Sequence, residues 1–169
     1  MNKDLILIGM PGCGKSTLGR GLADELRLPF LDLDAAIEDA AGRPIPEIFE
    51  TQGEEGFRRL ETETFRASVT SGKVIATGGG IVTREENLPI AKNGLVIFID
   101  RPLEHIMGDV QTETRPLLAE GKQRLQKLYE QRYDLYVAWA DIRIANTGTP
   151  EETLKTIVKE VQAYENHGN

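Results

Sequence analysis

One short segment near the N-terminus limits the folds open to this chain more than any other feature. The apolar run Leu5–Ile8 leads into the sequence GMPGCGKST at positions 9–17, and leucines follow at positions 18, 22 and 26 with helical spacing. This order of strand, glycine-rich loop and helix, with the spacing Gly-x4-Gly-Lys-Ser, is the pattern of a phosphate-binding loop. A chance glycine-rich turn is the alternative, and it does not account for the flanking strand and helix.

The residues of this loop suit the phosphates of ATP. Glycines carry no Cβ, so successive backbone N–H groups can turn inward around an anion, and the N-terminus of the following helix adds a partial positive charge. Lys15 is expected to reach the β- and γ-phosphates, and the Ser16 hydroxyl is expected to bind Mg²⁺. The predicted ATP-binding residues of the loop are Gly12, Cys13, Gly14, Lys15, Ser16 and Thr17.

The composition adds only broad limits. The 169 residues suit one domain, residues 1–169, and no apolar run approaches the roughly 20 residues of a membrane span. The N-terminal residues lead directly into a strand, so no signal peptide is expected. The single cysteine, Cys13, excludes an intramolecular disulfide and fits a reducing cytoplasm. A net charge of −7 without a long basic run argues against nucleic acid as a partner.

Five short apolar segments alternate with helical patterns along the chain. The predicted strands lie at residues 5–8, 28–34, 74–77, 95–100 and 142–146. Such alternation predicts an α/β fold in three layers, α/β/α, with a parallel sheet between helices. Sites in these sheets form at the carboxyl ends of the strands, where the phosphate loop, Asp34 and Gly78–Gly80 all lie.

Two further segments affect the predicted site. Strand 28–34 ends at Asp32 and Asp34, which share one face if the chain stays extended. After a short helix, residues 108–114 lose apolar periodicity, and they are predicted to form a mobile polar loop. With the Arg-Pro-Leu-Leu sequence that follows, this segment, residues 108–118, is the predicted lid over the nucleotide.

Five patterns around the phosphate loop identify the family that the chain resembles. They are, in chain order, Asp32-x-Asp34, Phe57-Arg58-x-x-Glu61, Gly78-Gly79-Gly80, Arg115-Pro116-Leu117-Leu118 and Arg132-x-x-x-Tyr136. With them, essentially the whole chain resembles the shikimate kinase family. The resemblance implies a P-loop fold like that of nucleoside monophosphate kinases, with five parallel strands in the order 2-3-1-4-5. It also implies transfer of the γ-phosphoryl group of ATP to the 3-hydroxyl of shikimate, with Mg²⁺ as cofactor, in aromatic amino-acid biosynthesis.

The same resemblance implies the roles of the acceptor-binding residues. Arg58 and Arg132 would hold the carboxylate of shikimate, for which the planar guanidinium is suited because it donates two parallel hydrogen bonds. Without the other patterns, both would be ordinary surface residues. Asp34 would contact the reacting hydroxyl, either as a base or only to orient it. Gly79 and Gly80 would let the backbone approach the substrate, with the Gly80 N–H bonding a hydroxyl.

The resemblance also implies roles on the nucleotide side. Asp32 would meet Mg²⁺ through water, with capping of the next helix as the alternative, and Arg115 in the lid would contact the transferred phosphoryl group. The family often has an arginine seven positions before this lid arginine, where it covers the adenine ring, but this chain has Gly108 there. The adenine contact is therefore open, with residues 146–150 as the candidate. The implied catalytic residues are Lys15, Asp34 and Arg115.

Other interpretations stay open at this stage. The chain could be a related small-molecule kinase, for gluconate or a nucleoside monophosphate, or a noncatalytic nucleotide-binding module. The arginine pair favours a compact carboxylate as acceptor, and an intact Lys15 argues against lost catalysis. Asp100 is expected to be a structural residue at a strand end. Phe49 and Phe57 could wall the acceptor pocket or belong to the core. A monomer acting in the cytoplasm on shikimate and ATP is expected.

Overall fold

The computed structural model describes residues 2–112 and 119–168. At its centre is a five-stranded sheet in the order β2-β3-β1-β4-β5, in which every neighbouring pair is parallel. This confirms the implied strand order. The strands are β1 (Leu5–Ile8), β2 (Phe30–Asp32), β3 (Val74–Ala76), β4 (Leu95–Asp100) and β5 (Ile142–Ala145).

Helices cover both faces of the sheet. All four residues of β1 and all six of β4 are buried, and because successive side chains of a strand point to opposite faces, this requires cover on each side. The α-helices are α1 (Lys15–Leu26), α2 (Leu33–Ala41), α3 (Ile45–Ser68), α4 (Asn87–Ala91), α5 (Leu103–Thr112), α6 (Ala119–Trp139) and α7 (Pro150–His167), with a short 3₁₀ turn at Ile81–Thr83.

The second strand is shorter than predicted, and this changes the geometry of the two aspartates. Strand β2 ends at Asp32, whose Oδ1 accepts hydrogen bonds from the backbone N–H groups of Asp34 at 3.0 Å and Ala35 at 3.3 Å. Asp32 therefore caps α2, and Asp34 lies in the first helical turn. The prediction that they share one face of an extended strand is wrong, because the cap satisfies N–H groups that would otherwise lack partners.

A glycine divides α3 into two helical segments. Gly53 has φ 70° and ψ −177°, which is not helical, while the residues on both sides continue the helix. Glycine adopts this conformation readily because it has no Cβ. The second segment ends at Ser68.

The predicted lid begins as a helix and not as a loop. Helix α5 continues to Thr112, so the prediction of a polar loop from residue 108 is wrong for residues 108–112. A glycine inside a helix costs only about 1 kcal/mol, and Asp109 pairs with Arg101 at the start of the segment. The remaining lid residues, 113–118, lie outside the described part of the chain, and with them the predicted lid residue Arg115.

Candidate active site

The phosphate loop connects β1 to α1 and has the backbone that the sequence predicts. Gly12 and Gly14 have φ 78° and 99°, in the region that favours glycine, and α1 begins immediately afterwards at Lys15. The Lys15 ammonium donates hydrogen bonds to the carbonyls of Gly9 at 2.7 Å and Met10 at 2.9 Å. The lysine thus closes the loop on itself, with its charge held at the N-terminus of a helix.

The environment of Lys15 favours a bound anion. Only 7% of the residue is exposed, and besides two carbonyls its ammonium contacts the Sγ of the buried Cys13 at 3.6 Å. A thiol is a weak acceptor compared with a phosphate oxygen, and charge-assisted bonds are about twice as strong as neutral ones. A phosphate group in the loop would therefore be a better third partner for this lysine than the sulfur.

Ser16 and Asp32 supply the oxygen atoms expected of a magnesium site. The Ser16 hydroxyl donates to Asp32 Oδ2 at 3.3 Å, so the hydroxyl and the carboxylate face each other across the end of β2. Among residues 2–112 and 119–168, no group of three or more His, Cys, Asp or Glu side chains could hold a metal. Mg²⁺ is usually bound by one or two protein oxygens with substrate phosphates and water, so this donor set fits the ion.

The acceptor side of the site is organised around Gly78–Gly80, which follow β3. A Cβ built on Gly78 would lie 3.1 Å from Asp34 Oδ1 and 3.2 Å from Glu61 Oε2. A Cβ on Gly80 would overlap the guanidinium of Arg58. Asp34, Glu61 and Arg58 therefore meet at this loop, and the lack of a side chain at Gly80 leaves room for the guanidinium.

This acceptor loop also touches the phosphate loop. A Cβ on Gly79 would lie 2.7 Å from Cδ of Pro11, which is closer than real Cβ contacts come. The absence of a side chain at Gly79 is what allows the two loops to meet. Groups bound on the two loops would therefore lie next to each other, as a transfer reaction requires.

Arg58 is held by a buried carboxylate. Its Nη1 donates to Glu61 Oε1 at 2.9 Å, across three positions of α3, and the Glu61 side chain is 1% exposed. Arg58 Nε and Glu61 Oε2 are both buried without a hydrogen-bond partner among the described residues. The nearest ion-pair contact of Arg58 Nε is the exposed Glu54 carboxylate, with 3.8 Å to Oε1, so a donor and an acceptor without hydrogen bonds lie beside the glycine loop, which indicates a place for a polar ligand.

Burial raises the pKa of both carboxyl groups in this pocket. The pKa of Asp34 is raised by burial and then by the negative charge of Asp32, while Lys15 acts in the opposite direction. The pKa of Glu61 is raised by burial, and the charge and hydrogen bond of Arg58 oppose this. Raised carboxyl pKa values in a cleft are typical of a functional site.

Helix α6 closes the pocket with Arg132 and Tyr136, one helical turn apart. The Tyr136 hydroxyl, on a completely buried side chain, donates to the Gly79 carbonyl at 2.6 Å. Burial raises the pKa of Tyr136, and the charge of Arg132 opposes this. The charge of Arg132 also opposes the rise in the pKa of Glu61. No role for Tyr136 is predicted from the sequence, although the residue belongs to the pattern Arg132-x-x-x-Tyr136.

Phe49 and Phe57 differ in position, although their rings stack at a centroid distance of 4.6 Å. Phe57 is 5% exposed and belongs to the core, whereas Phe49 is 38% exposed. The Arg58 guanidinium lies 5.1 Å from the centroid of the Phe57 ring, within the range of a cation–π contact. Phe57 therefore packs in the core, and its ring also contacts the Arg58 guanidinium.

A second cavity of about 290 Å³ adjoins the outer side of the phosphate loop. Arg101 lies at this cavity and donates to Asp109 Oδ2 at 2.8 Å and to the Asn146 carbonyl at 2.8 Å. The Asn146 side chain donates in turn to the Cys13 carbonyl at 2.9 Å, which joins the loop after β5 to the phosphate loop. The lining residues are Gly12, Cys13, Gly14, Thr17, Leu18, Arg101, Asp109, Asn146, Gly148 and Pro150.

Arg101 is not among the site residues predicted from the sequence. The base contact is expected at residues 146–150, and three of these residues line this cavity. The signal that could have found Arg101 is its position, directly after the carboxyl end of β4. Gly108 does not line the cavity, and apart from its chain neighbours and the backbone of its own helix, no described atom lies within 4 Å of a Cβ built on it.

Asp100 at the end of β4 is engaged in the scaffold, as expected. Its Oδ2 accepts hydrogen bonds from Arg143 Nε at 2.7 Å and from the Tyr133 hydroxyl at 3.0 Å. This carboxylate therefore joins β4, β5 and α6.

Fold and site together define a phosphotransferase of the P-loop class, with a compact acceptor pocket beside the phosphate loop. The family model described as shikimate kinase matches residues 11–162. A shikimate kinase of Clostridium beijerinckii is 46% identical over 164 residues, which cover 96% of this chain and 94% of that protein. A shikimate kinase of Clostridium botulinum is 47% identical over 161 residues, which cover 94% of this chain and 97% of that protein.

A solved structure agrees with these relatives. Shikimate kinase from Acinetobacter baumannii, determined in complex with shikimate, is 34% identical to this chain and superposes with a TM-score of 0.85, covering 96% of this chain and 94% of its own. The chain belongs to the shikimate kinase family.

Proposed function

We propose that this protein transfers the γ-phosphoryl group of ATP to the 3-hydroxyl of shikimate, which gives shikimate 3-phosphate and ADP in aromatic amino-acid biosynthesis. The observation that carries the proposal is the convergence of Arg58, Asp34 and Glu61 on the glycine loop that touches the phosphate loop. This arrangement suits an acceptor that has both a carboxylate and hydroxyl groups, held next to a nucleotide.

On the nucleotide side, residues 12–17 would cradle the phosphates and Lys15 would exchange its contact with the Cys13 sulfur for a phosphate oxygen. Ser16 would bind Mg²⁺ directly and Asp32 would contact it through water, supported by the facing positions of their oxygens. When bound, Mg²⁺ neutralises charge on the β- and γ-phosphates. Arg115 would add a further positive charge at the transferred group.

The adenine ring would lie in the cavity lined by Arg101, Asn146 and Pro150, which adjoins the phosphate loop. Three hydrogen bonds, two to the Asp109 carboxylate and one to the Asn146 carbonyl, hold the flat guanidinium of Arg101 at this cavity, where it can stack on a planar base. This offers a base contact on a different residue from the arginine that is often found at the position of Gly108 in the family.

On the acceptor side, Arg58 and Arg132 would bind the carboxylate, and the Gly79 and Gly80 backbone would approach the ring. Arg58 Nε forms no hydrogen bond among the described residues and lies 3.8 Å from Glu54 Oε1, so it keeps a donor for the ligand while Nη1 is bound to Glu61. Glu61 Oε1, which accepts the bond from Nη1, orients the guanidinium.

Asp34 would contact the reacting hydroxyl. Burial raises its pKa, which makes it a better proton acceptor than an exposed aspartate. Phosphoryl transfer depends mainly on positioning and charge stabilisation, so orientation of the hydroxyl by Asp34 can account for much of its effect.

The protein would act as a monomer in the cytoplasm, without a nucleic acid or membrane partner. Both halves of the described site come from one chain, and the net charge of −7 disfavours binding to nucleic acid. In the described part of the chain, no helix is long and apolar enough to cross a membrane.

The test is an ADP-release assay with ATP and Mg²⁺ in which shikimate, gluconate and AMP are compared as acceptors. We expect ADP release to depend on shikimate, with little activity on the other two. Lys15→Met serves as the inactive control for contaminating kinases. A preference for gluconate or AMP would reassign the acceptor, and release of ADP that no acceptor stimulates would refute a transfer reaction.

A further inference from the structure

Tyr136 occupies an unusual position for a phenol. Its side chain is completely buried on the inner side of α6, its ring stacks on Phe98 at a centroid distance of 5.2 Å, and its hydroxyl reaches the Gly79 carbonyl at 2.6 Å. Burying a hydroxyl is costly unless it forms a hydrogen bond, so this contact fixes both the tyrosine and the glycine.

The hydrogen bond from Tyr136 to the Gly79 carbonyl also fixes the direction of the Gly80 N–H. The Gly79 carbonyl and the Gly80 N–H belong to the same peptide unit, and no peptide bond of the described residues is cis, so the two groups point in opposite directions. A hydroxyl that holds the carbonyl therefore aims the N–H away from Tyr136. In the described part of the chain, the Gly80 N–H donates no hydrogen bond to the backbone.

Two adjacent glycines need such an anchor, because they lose more conformational freedom on ordering than other residues. The far side of the loop is already fixed, since the Thr83 hydroxyl donates to the Gly80 carbonyl at 2.6 Å and the Ile81 N–H donates to the Gly78 carbonyl at 3.2 Å. Tyr136 fixes the one peptide between these contacts.

We propose that Tyr136 is a positioning residue that aims the Gly80 N–H at a hydroxyl of the acceptor and links this peptide to Arg132. Tyr136 and Arg132 lie one helical turn apart on α6, so one helix carries both the proposed carboxylate-binding arginine and the tyrosine that holds the hydroxyl-binding peptide. This inference deepens the proposed function and rests on it. Tyr136 acts through Gly79 and does not touch the substrate.

The test replaces the phenol and keeps the ring, with a matched control on the same helix. Tyr136→Phe removes the hydrogen bond to Gly79, and Tyr133→Phe removes a comparable bond from a phenol to Asp100, outside the site. We expect Tyr136→Phe to raise the KM for shikimate by roughly twofold to twelvefold, the range for one neutral hydrogen bond, and to leave the KM for ATP unchanged. Tyr133→Phe should change neither KM.

Several results would overturn the inference. Unchanged shikimate kinetics in Tyr136→Phe would do so, as would equal rises in both KM values or the same effect in Tyr133→Phe, because a purely structural role predicts no selectivity between substrates. If the wild type does not phosphorylate shikimate, the proposed function fails before any variant is made. The failures of the two proposals are thus distinguishable.

A measurement on the wild type covers the case in which Tyr136→Phe does not fold. In a ¹⁵N-glycine-labelled protein, we expect the Gly80 amide resonance to move on addition of shikimate and its hydrogen exchange to slow. A Gly80 amide that shikimate leaves unchanged would show that the peptide is not aimed at the ligand, and the inference would be wrong.

Discussion

The ion pair between Arg58 and Glu61 allows binding and stability to be separated in one experiment. The Arg58 side chain is 12% exposed and that of Glu61 is 1% exposed, with 2.9 Å between Nη1 and Oε1. Arg58→Ala removes the proposed carboxylate ligand and also leaves Glu61 buried without its partner. Adding Glu61→Gln removes the stranded charge and does not restore the ligand.

The two effects have different magnitudes. A charge-assisted hydrogen bond contributes about 1.5–3 kcal/mol, so Arg58→Ala should raise the KM for shikimate by roughly tenfold to a hundredfold or more. Breaking a buried ion pair from one side costs about 3–5 kcal/mol. For a chain of this size, about 3 kcal/mol lowers the Tm by roughly 6–12 °C, since each kcal/mol corresponds to about 2–4 °C.

Steady-state kinetics for both substrates and thermal unfolding without ligands measure these effects. The double variant Arg58→Ala/Glu61→Gln should recover most of the lost Tm and keep the high KM for shikimate. Arg59→Ala is the matched control, because Arg59 is the exposed neighbour on the same helix and its loss changes the net charge equally. Its Tm should move by no more than about 1–2 °C, as for most surface substitutions.

The reasoning is refuted if the double variant recovers the KM for shikimate together with the Tm, since Arg58→Ala would then act only through stability. A rise in the KM for ATP as large as that for shikimate would instead assign Arg58 to the nucleotide.

Three further predictions concern the phosphate loop and the aspartates. Lys15→Met should reduce kcat by at least about 10²-fold, the effect of removing one group that stabilises charge in the transition state, and near-normal ADP release would show that the assignment is wrong. Asp32→Asn should raise the Mg²⁺ concentration for half-maximal rate by about 10–100-fold, and high Mg²⁺ should restore the rate. A magnesium titration that matches the wild type would show that Asp32 acts only as a helix cap. Burial raises the pKa of Asp34 above its ordinary value of 3.8, so ionisation of Asp34 destabilises the folded state as the pH rises through the raised pKa. The Tm of Asp34→Asn should therefore exceed that of the wild type by more at pH 7 than at pH 4. An equal difference at both pH values would contradict this.

The phosphate loop and the parallel sheet could be predicted because each depends on a local pattern with one physical interpretation, whereas the strand order was implied by the family resemblance. The spacing of Gly9 to Ser16 leaves little choice of backbone, and fully apolar strands require cover on both faces. The pairing of Arg58 with Glu61 was predictable for the same reason, since three positions on a helix bring two side chains together.

The errors came from competing interactions that the sequence shows only in part. The second strand was predicted to continue to Asp34, but it ends at Asp32. The Asp32 side chain can either continue a strand or cap a helix, and in the structure it caps α2. Residues 108–112 lack apolar periodicity, yet they remain helical, with Asp109 paired to Arg101.

Contacts between distant segments were not accessible from the sequence. The bond from Tyr136 to Gly79 spans 57 positions, and the contact of Asn146 with Cys13 spans 133. Residue type and spacing carry no information on such pairs, so the role of Tyr136 follows only from the folded structure.

Identification of the phosphorylated atom tests the central claim most directly. The protein is incubated with ATP, Mg²⁺ and shikimate, and the product is analysed by ³¹P–¹H correlation NMR, with Lys15→Met as the blank. The account predicts a single phosphate ester on the 3-hydroxyl of shikimate in an amount equal to the ADP released. ADP with inorganic phosphate and no ester, or an ester on another hydroxyl, would contradict it.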